Sequence, residues 1–349
     1  MSRKEKVSEI LFETFNVPAL YLANQGVLSL YSSGLISGRK LAACAGRVEL
    51  DGGGPEGADR VQILFETFNV PALYLANQGV LSLYSSGLIS GTSVESGEGM
   101  TFFVPVIEGC PLRQSTMQMD IAGQDITLYL LRLLSEKGNS LIALAQAATR
   151  APDPEVLESE MRADAVVAVL SRPHGEERGE REYIRALKEK CCHVALDFDK
   201  EKEGFLLSPH PGKHQLPDGR EIELGQETFL CMEALFQTDL IGRNSLGAHM
   251  TAFRCISSCS PALWKALFGH VMLSGGTGSC IGLKSRMQRE LSALVSPLIN
   301  VKVCTCPYSV YSAWVGGSIL CSLSTFKDMW VTSDDYKDMG ASAVSRRAL

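Results

Sequence analysis

The sequence predicts an α/β fold, and three stretches indicate it. Residues 92–109 alternate around an acidic, glycine-containing turn, which is typical of a β-hairpin. Residues 120–138 place apolar side chains at helical spacing and end at a glycine. Residues 270–294 run from an apolar strand through a glycine-rich turn into a helix. Strands that alternate with helices of this length favour an α/β architecture.

Size and composition exclude several classes of protein. The 349 residues suffice for two domains or one large α/β unit, and 45% hydrophobic content is ordinary for a globular chain. A net charge of −6, without a run of Lys or Arg, argues against nucleic-acid binding. The sequence contains neither a secretory signal nor the roughly 18 uninterrupted apolar residues of a membrane span. We therefore expect no contact with nucleic acid or membrane.

The eleven cysteines are expected to be reduced thiols of an intracellular protein, because no export signal accompanies them. Cys191–Cys192 and Cys304–Cys306 lack the spacing of metal ligands and a matching second pair, which favours structural thiols. The six histidines are scattered along the chain. We expect His193, beside Cys192 on a predicted helix, to be a packed side chain.

One stretch occurs twice, because residues 10–38 and 63–91 are identical letter for letter. In the second copy, the proline-initiated run 71–78 predicts a strand and 79–87 predicts a short helix that ends at a glycine. Residues 39–62 between the copies are rich in glycine and read as a linker. Perfect identity indicates a recently duplicated segment and not an ancient structural repeat.

Three further segments complete the predicted elements. Residues 141–180 are rich in Ala, Glu and Pro and end in a charge run, which indicates an inserted surface segment. Residues 180–196 form an amphipathic helical pattern. Residues 216–225 predict a strand pair that turns at 217–219.

Two glycine-rich turns are candidate phosphate sites, at 95–99 and at 274–278. Glycine lets backbone N–H groups approach a phosphate closely, and a following helix adds a favourable dipole. Glu95 and Glu98 would repel a phosphate directly but could hold Mg²⁺ through water molecules. Either turn is also explained as a plain structural connection, and neither fits the Walker or Rossmann pattern.

Several blocks of this sequence, in order, resemble those of an actin. They are ILFETFNVPALYLANQGVLSLYSSG, VESGEGMTFFVPVIEG, MDIAGQDITLYLLRLL, YIRALKEKCCHVALDFDKE, LPDGREIELG, CMEALFQ, VMLSGGTGSCIGLKSRMQREL and WVGGSILCSLSTFKDMW. The blocks cover about residues 63–138 and 180–349, and their divergence is similar to that of germ-cell-type actin-like proteins. The resemblance implies an α/β, actin-like two-domain fold of the actin, sugar-kinase and chaperone ATPase superfamily, with a nucleotide cleft between the domains.

The resemblance also implies a division of the chain in which the first domain is incomplete. Residues 1–62 would be a duplicated segment plus linker, poorly anchored. Residues 63–91 and 311–349 would be a remnant of the first domain, and 92–310 the second domain with the insertion at 141–180.

The duplicated unit occurs once in the family, where it provides the last strand of the first domain's sheet. With the other strands of that sheet missing, residues 71–78 would form an exposed edge, and such edges invite pairing. We expect residues 18–25 of the first copy to lie parallel beside them.

By position, the resemblance assigns nucleotide contacts to four parts of the chain. Glu95, Gly97, Glu98 and Gly99 match a second phosphate loop, and Asp120 and Gly123 match the wall of the cleft between the domains. Lys188 and Glu189 match two residues that flank the ribose and base, and Gly275 and Gly276 match a loop beneath the phosphates. Gln78 matches the glutamine that orients the hydrolytic water. Simpler interpretations remain: Lys188 and Glu189 as solvated helix charges, Gln78 as a helix cap, and the two late glycines as a strand–helix turn.

Departures from the family pattern weaken the predicted site. Nothing in the sequence matches the first phosphate loop and its lysine. Phe102 stands where the family has a histidine, Gln124 replaces an arginine, Cys280 an aromatic residue and Val310 a lysine. Loss of these groups removes charge-assisted binding, so we expect weak binding of ATP or ADP with Mg²⁺, or none, and no efficient hydrolysis.

These observations favour an actin-like structural or interaction protein of the cytoskeleton or nucleus, located in the cytoplasm, at the cytoskeleton or in the nucleus. Its expected partners are cytoskeletal or actin-binding proteins. We expect no filaments, because filament contacts in the family draw on the subdomain that is missing here. The alternative is an ATP-hydrolysing protein of the actin fold.

Overall fold

The computed structural model describes residues 61–62, 65–66, 72–136, 177–209, 211–215, 221–305, 308–340 and 342–343. The predictions for the first copy of the repeat, for the linker and for residues 18–25 lie outside the described residues. So does the predicted insertion, except for residues 177–180.

A six-stranded mixed sheet forms the centre of the fold. Its strands are β2 (Gly91–Ser96), β3 (Thr101–Ile107), β4 (Cys110–Pro111), β5 (Met117–Met119), β8 (Val271–Ser274) and β9 (Val303–Thr305). The order is β4-β3-β2-β8-β9, and β5 also pairs with β3. β2 and β3 are antiparallel, whereas β2, β8 and β9 run parallel. The hairpin predicted for residues 92–109 is therefore confirmed.

Two small sheets flank this one. β1 (Ala72–Leu73) pairs antiparallel with β10 (Val331–Thr332). β6 (Gly212–Gln215) pairs antiparallel with β7 (Glu221–Leu224), so the first strand of the predicted pair lies before residue 216. The turn predicted at 217–219 lies outside the described residues.

The helices of the described residues follow the chain in ten segments. They are α1 (Gln78–Ser85), α2 (Gly123–Glu136), α3 (Glu177–Cys191), α4 (Phe198–Leu207), α5 (Glu227–Glu233), α6 (Ala248–Ser257), α7 (Trp264–Gly269), α8 (Leu283–Leu294), α9 (Ser312–Ser322) and α10 (Ser333–Met339).

The main core lies between the central sheet and the helices packed on it. α2 contributes Ile126, Leu130 and Leu134 at four-residue spacing, and each is fully buried. They pack in one cluster with Phe103 of β3 and Leu273 of β8. Each fully buried side chain of this kind contributes about 1.5–3 kcal/mol to folding. This core fixes the positions of the turns at the ends of β2 and β8.

α1 begins one residue earlier than predicted and shows how its sequence sets its ends. The Asn77 side chain accepts a 2.9 Å hydrogen bond from the Gly79 amide, which caps the first turn. Gly87, with φ of 71°, follows the last turn in a left-handed conformation. The prediction that Gln78 caps this helix is wrong, because Asn77 is the cap and Gln78 is the first helical residue.

The strand predicted over 71–78 is shorter in the structure. Only Ala72–Leu73 are β, because the next residues lead directly into the capped start of α1. The helix predicted over 180–196 runs instead from Glu177 to Cys191, and residues 192–196 form no helix or strand before Asp197 caps α4.

α1 and α9 cross with very little space between them. A Cβ atom on Gly316 of α9 would collide with the backbone carbonyl of Leu81 in α1. Ser82 Oγ lies 3.1 Å from Ser312 Oγ and 3.2 Å from Ser274 Oγ at the end of β8. This crossing joins residues 72–85 and 308–340 to the central sheet. The three-part division of the chain remains a prediction.

Candidate functional site

The turn between β2 and β3 is held by the start of α2 and by the turn after β8. The Gly97 carbonyl accepts hydrogen bonds from the Gly123 amide at 3.0 Å and from Thr277 Oγ1 at 2.7 Å. The Glu98 carbonyl accepts a 2.7 Å hydrogen bond from the Gln124 amide. Three of the predicted loops therefore come together in space, as the resemblance implies. Thr277 lies in the predicted turn at 274–278, but its contact with Gly97 was not predicted, since that contact spans 180 positions.

Glycine is required at position 275. Its φ is 86°, a region that other residues rarely adopt, and a Cβ atom there would collide with the carbonyl of Ser96. Its amide donates a 2.9 Å hydrogen bond to the Ser309 carbonyl. By contrast, a Cβ atom on Gly276 or Gly99 would meet no atom within 4 Å. The close approach of the residue after β8 to the end of β2 therefore explains Gly275 without a ligand.

Lys188 is buried in this site, with only 7% of its surface exposed. Its Nζ atom donates a 2.7 Å hydrogen bond to the Gly123 carbonyl. A Cβ atom at Gly123 would lie 3.2 Å from that Nζ, so the glycine makes room for the ammonium group. Burial lowers the pKa of Lys188, because a charged group loses hydration there. The interpretation of Lys188 as a solvated helix charge is wrong.

Arg185 lies one turn before Lys188 on α3 and was missed from the sequence. Its Nε atom lies 3.0 Å from Glu189 Oε1, and its Nη1 atom lies 3.5 Å from Glu98 Oε2. These side chains are a third or more exposed, so each ion pair contributes little to stability. The i, i+4 spacing to Glu189 is the sequence signal that indicates the first contact.

Glu95, near the end of β2, is 5% exposed. Burial raises the pKa of its carboxyl group, and hydrogen bonds from Ser82, Ser274, Ser93 and Gln78 partly oppose that rise. The Ser93 hydroxyl, for example, donates to Glu95 Oε1 at 3.3 Å. Water molecules that linked Glu95 to Mg²⁺ would therefore have to displace the side-chain groups that already donate hydrogen bonds to its carboxyl group.

The remaining predicted site residues make few of the contacts described above. Gln78 is exposed, although its side chain reaches Glu95. Asp120 is exposed between β5 and α2, and none of the hydrogen bonds above involves it. Among the departures, Val310 is half exposed, and burial raises the pKa of Cys280 to about 11.

Three backbone donors of this arrangement already have partners within the protein. A phosphate cradle needs N–H groups that point at the ligand. Here the amides of Gly97, Gly123 and Gly275 donate to the carbonyls of Met100, Gly97 and Ser309. The ammonium group of Lys188 is likewise directed at a carbonyl.

A cleft of about 490 Å³ lies elsewhere, between α3, α4, α5 and the strands β6 and β7. His193 Nε2 lies 2.6 Å from Glu201 Oε1 in it, and Cys191 Sγ lies 3.3 Å from His214 Nδ1. His193 is partly buried and its ring lies 6.1 Å from that of Phe229, but it follows the end of α3 at Cys191 and is not on the helix as predicted. Within the described ranges, no group of three or more His, Cys, Asp or Glu side chains could hold a metal ion.

The fold and this arrangement of turns define a protein of the actin type. The profile of the actin family, described as Actin, matches residues 1–41 and 58–349. One relative is actin-like protein 7A from Macaca fascicularis, 37% identical over 289 residues. That alignment covers 82% of this chain and 57% of the relative, so the chain spans little more than half of the relative's length.

The chain therefore belongs to the actin family, as a divergent actin-like protein. The predicted family and the actin-family α/β fold are confirmed. Within the described ranges, no helix has both the length and the apolar character needed to cross a membrane.

Proposed function

We propose that this chain acts as an actin-like structural or interaction protein, without efficient ATP hydrolysis and without filaments of its own. Its partners would be cytoskeletal or actin-binding proteins, and its location the cytoskeleton or the nucleus. The observation that carries the proposal is that Lys188, a buried cation of the site, is already bound to the Gly123 carbonyl.

The charges of this site favour weak nucleotide binding. Actins bind ATP or ADP with Mg²⁺, and the phosphate groups need positive charge and free N–H donors. The arginine that follows the glycine at position 123 in the family is Gln124 here, and the lysine that lies over the adenine is Val310. Arg185 already pairs with Glu98 and Glu189, so its charge is partly compensated by two carboxylates.

The residues that would handle the hydrolytic water are altered in this chain. The family's glutamine is retained as Gln78, but Phe102 replaces its histidine partner. Gln78 also donates to the buried Glu95 carboxyl group. A side chain engaged in that contact is poorly placed to orient a water for attack, because positioning geometry dominates such reactions.

The proposal is tested first by measuring phosphate release from Mg-ATP with the purified full chain and with Gln78→Ala. The expected rates are equal to each other and to the buffer blank. A faster rate that Gln78→Ala abolishes would support the alternative, an ATP-hydrolysing actin-fold protein.

Filament formation is tested separately by sedimentation under polymerising salt. The protein is expected to stay in the supernatant at every concentration. A large pellet that dissolves again when the salt is removed would contradict this part of the proposal.

A further inference from the structure

Two adjacent cysteines at the end of α3 have different environments. Cys192 is 5% exposed and packs in the main core. Cys191, the last residue of α3, is only partly buried and lines the cleft of about 490 Å³ between α3, α4, α5 and the strands β6 and β7. Cys192 is thus enclosed by the protein, whereas the thiol of Cys191 can be reached from the cleft.

An imidazole lies beside the Cys191 thiol. His214 Nδ1 is 3.3 Å from Cys191 Sγ, which is within the range of a hydrogen bond to sulfur. His214 is on β6, and a Cβ atom on Gly212 of the same strand would lie only 3.1 Å from its Nε2 atom. Glycine at that position therefore leaves room for the ring. Cys191 and His214 thus form a thiol–imidazole pair between residues 23 positions apart.

A thiol beside an imidazole can act as a nucleophile, because the ring can accept its proton. Burial raises the pKa of the Cys191 thiol, so its sulfur is protonated at neutral pH and needs such a base in order to react. The second imidazole of the cleft is engaged elsewhere, since His193 Nε2 lies 2.6 Å from Glu201 Oε1. His214 is therefore the group that is placed to activate Cys191.

The cleft also has an aromatic wall. Phe205 of α4 and Phe229 of α5 line it with ring centroids 6.3 Å apart, and Leu224 of β7 adds an aliphatic side chain. Its volume of about 490 Å³ is within the roughly 300–1,000 Å³ of clefts that hold small organic molecules. The cleft therefore suits a molecule that has an aromatic or other apolar body and a group that reacts with a thiol.

We propose that Cys191 is a site of covalent modification by α,β-unsaturated carbonyl compounds that carry an aromatic or other apolar group. The sulfur attacks the β-carbon, and an S–C bond forms as the thiol proton passes to His214 Nδ1. The electron pair of the C=C bond moves toward the carbonyl group as an enolate, whose α-carbon then takes the proton from His214. The step is an addition, so no atom leaves and no oxidant is needed.

Labelling of the full chain with limiting N-phenylmaleimide at neutral pH tests the proposal. This probe is an α,β-unsaturated carbonyl compound with an aromatic ring. Tryptic peptide 191–200 contains both adjacent cysteines, and fragmentation between them locates the adduct. Exposed Cys110 is the reference thiol. We expect Cys191 to react at least about tenfold faster than Cys110, because assistance by a general base and binding in the cleft both favour it.

The role of the imidazole is tested by His214→Gln. This variant should slow the labelling of Cys191 at least about tenfold and leave that of Cys110 unchanged, because an amide does not accept the thiol proton. Lys213→Gln, at an exposed neighbouring position of β6, should react as the wild type does. Buried Cys192 should stay unlabelled in each folded variant, so it reports unfolding within the same peptide.

The role of the aromatic wall is tested by the choice between two probes. Relative to Cys110, Cys191 should prefer N-phenylmaleimide over N-methylmaleimide by about three- to tenfold, because the phenyl ring packs against aromatic side chains. Phe205→Ala should reduce this preference. Leu206→Ala, at a position of α4 that is 65% exposed, should retain it.

Three results would overturn the proposal. The first is faster labelling of Cys110 than of Cys191 in the wild type. The second is a Cys191 rate that His214→Gln leaves unchanged while Cys192 stays protected. The third is an equal preference for the two maleimides at Cys191 and Cys110. If His214→Gln exposes Cys192, the wild-type rates and the Phe205→Ala ratio decide the matter.

Discussion

Lys188 and Gly123 are joined by a 2.7 Å hydrogen bond from an ammonium group to a carbonyl oxygen, across 65 positions of the chain. The contact ties α3 to the first turn of α2, where the family resemblance places the wall of a nucleotide cleft. Lys188, which the resemblance assigns to a nucleotide, therefore contacts the protein itself.

Lys188→Met should alter the pH dependence of stability at alkaline pH. Burial lowers the pKa of Lys188 below its usual 10.5 in the folded protein. Between the lowered pKa and 10.5, the unfolded state binds more protons than the folded state, so wild-type stability rises with pH. Lys188→Met removes this rise, which urea unfolding across that range measures. Lys200→Met, at an exposed position, should behave as wild type, and parallel wild-type and Lys188→Met curves would contradict the burial.

Glu95→Gln should stabilise the protein at neutral pH. Because burial raises the pKa of Glu95, the folded state keeps a proton that the unfolded state has lost. Wild-type stability therefore falls as pH rises from about 4.5 toward the raised pKa. The amide variant lacks this fall and fills the same space. Thermal unfolding from pH 4 to pH 8 measures the difference, with exposed Glu203→Gln as the control; a Glu95→Gln variant that loses stability at neutral pH would refute the prediction.

The sequence predicts much of this region, and its limits have physical causes. The α1 helix follows from apolar residues at helical spacing between Asn77 and Gly87, which are local signals. Burial of Lys188 does not follow, because an amphipathic helix pattern cannot show which charged residue faces another element. The contact of Thr277 with Gly97 depends on the neighbouring positions of β2 and β8 in the sheet, and no local pattern encodes that.

The family resemblance supplied the residues of the candidate site, but not their environment. A backbone hydrogen bond joins Gly123 to Gly97, and Gly275 lies against Ser96, the residue before Gly97. Their roles toward a nucleotide remain predictions. Arg185 could have been found from its spacing to Glu189, whereas the serine hydroxyls around Glu95 come from three separate segments and could not.

Gly316→Ala should destabilise the protein by about 1–3 kcal/mol, because overpacking forces backbone shifts. The added methyl group would collide with the Leu81 carbonyl at the crossing of α1 and α9. Gly204→Ala is the matched control, since it is also a helical glycine but has nothing within 4 Å of a Cβ atom. That control should be neutral or stabilising by up to about 1 kcal/mol. Urea unfolding compares them, and equal effects would contradict the close crossing.

Arg286→Met should cost about 3–5 kcal/mol, because it leaves the Glu233 carboxylate buried without its partner. Arg286 Nη2 lies 2.9 Å from Glu233 Oε1, with side chains 9% and 0% exposed. The double variant Arg286→Met/Glu233→Leu should recover part of the loss, as both charges are then absent. Chemical unfolding of the two single variants and the double variant measures the coupling, and additive losses would refute it.

Calorimetric titration of the full chain with Mg-ATP tests the central claim most directly. We expect no saturable heat up to about 1 mM nucleotide, which corresponds to binding weaker than about 4 kcal/mol. The reason is that Lys188 and the amides of Gly97, Gly123 and Gly275 already bind carbonyls of the protein. Micromolar or tighter binding that Glu98→Ala weakens would contradict the account.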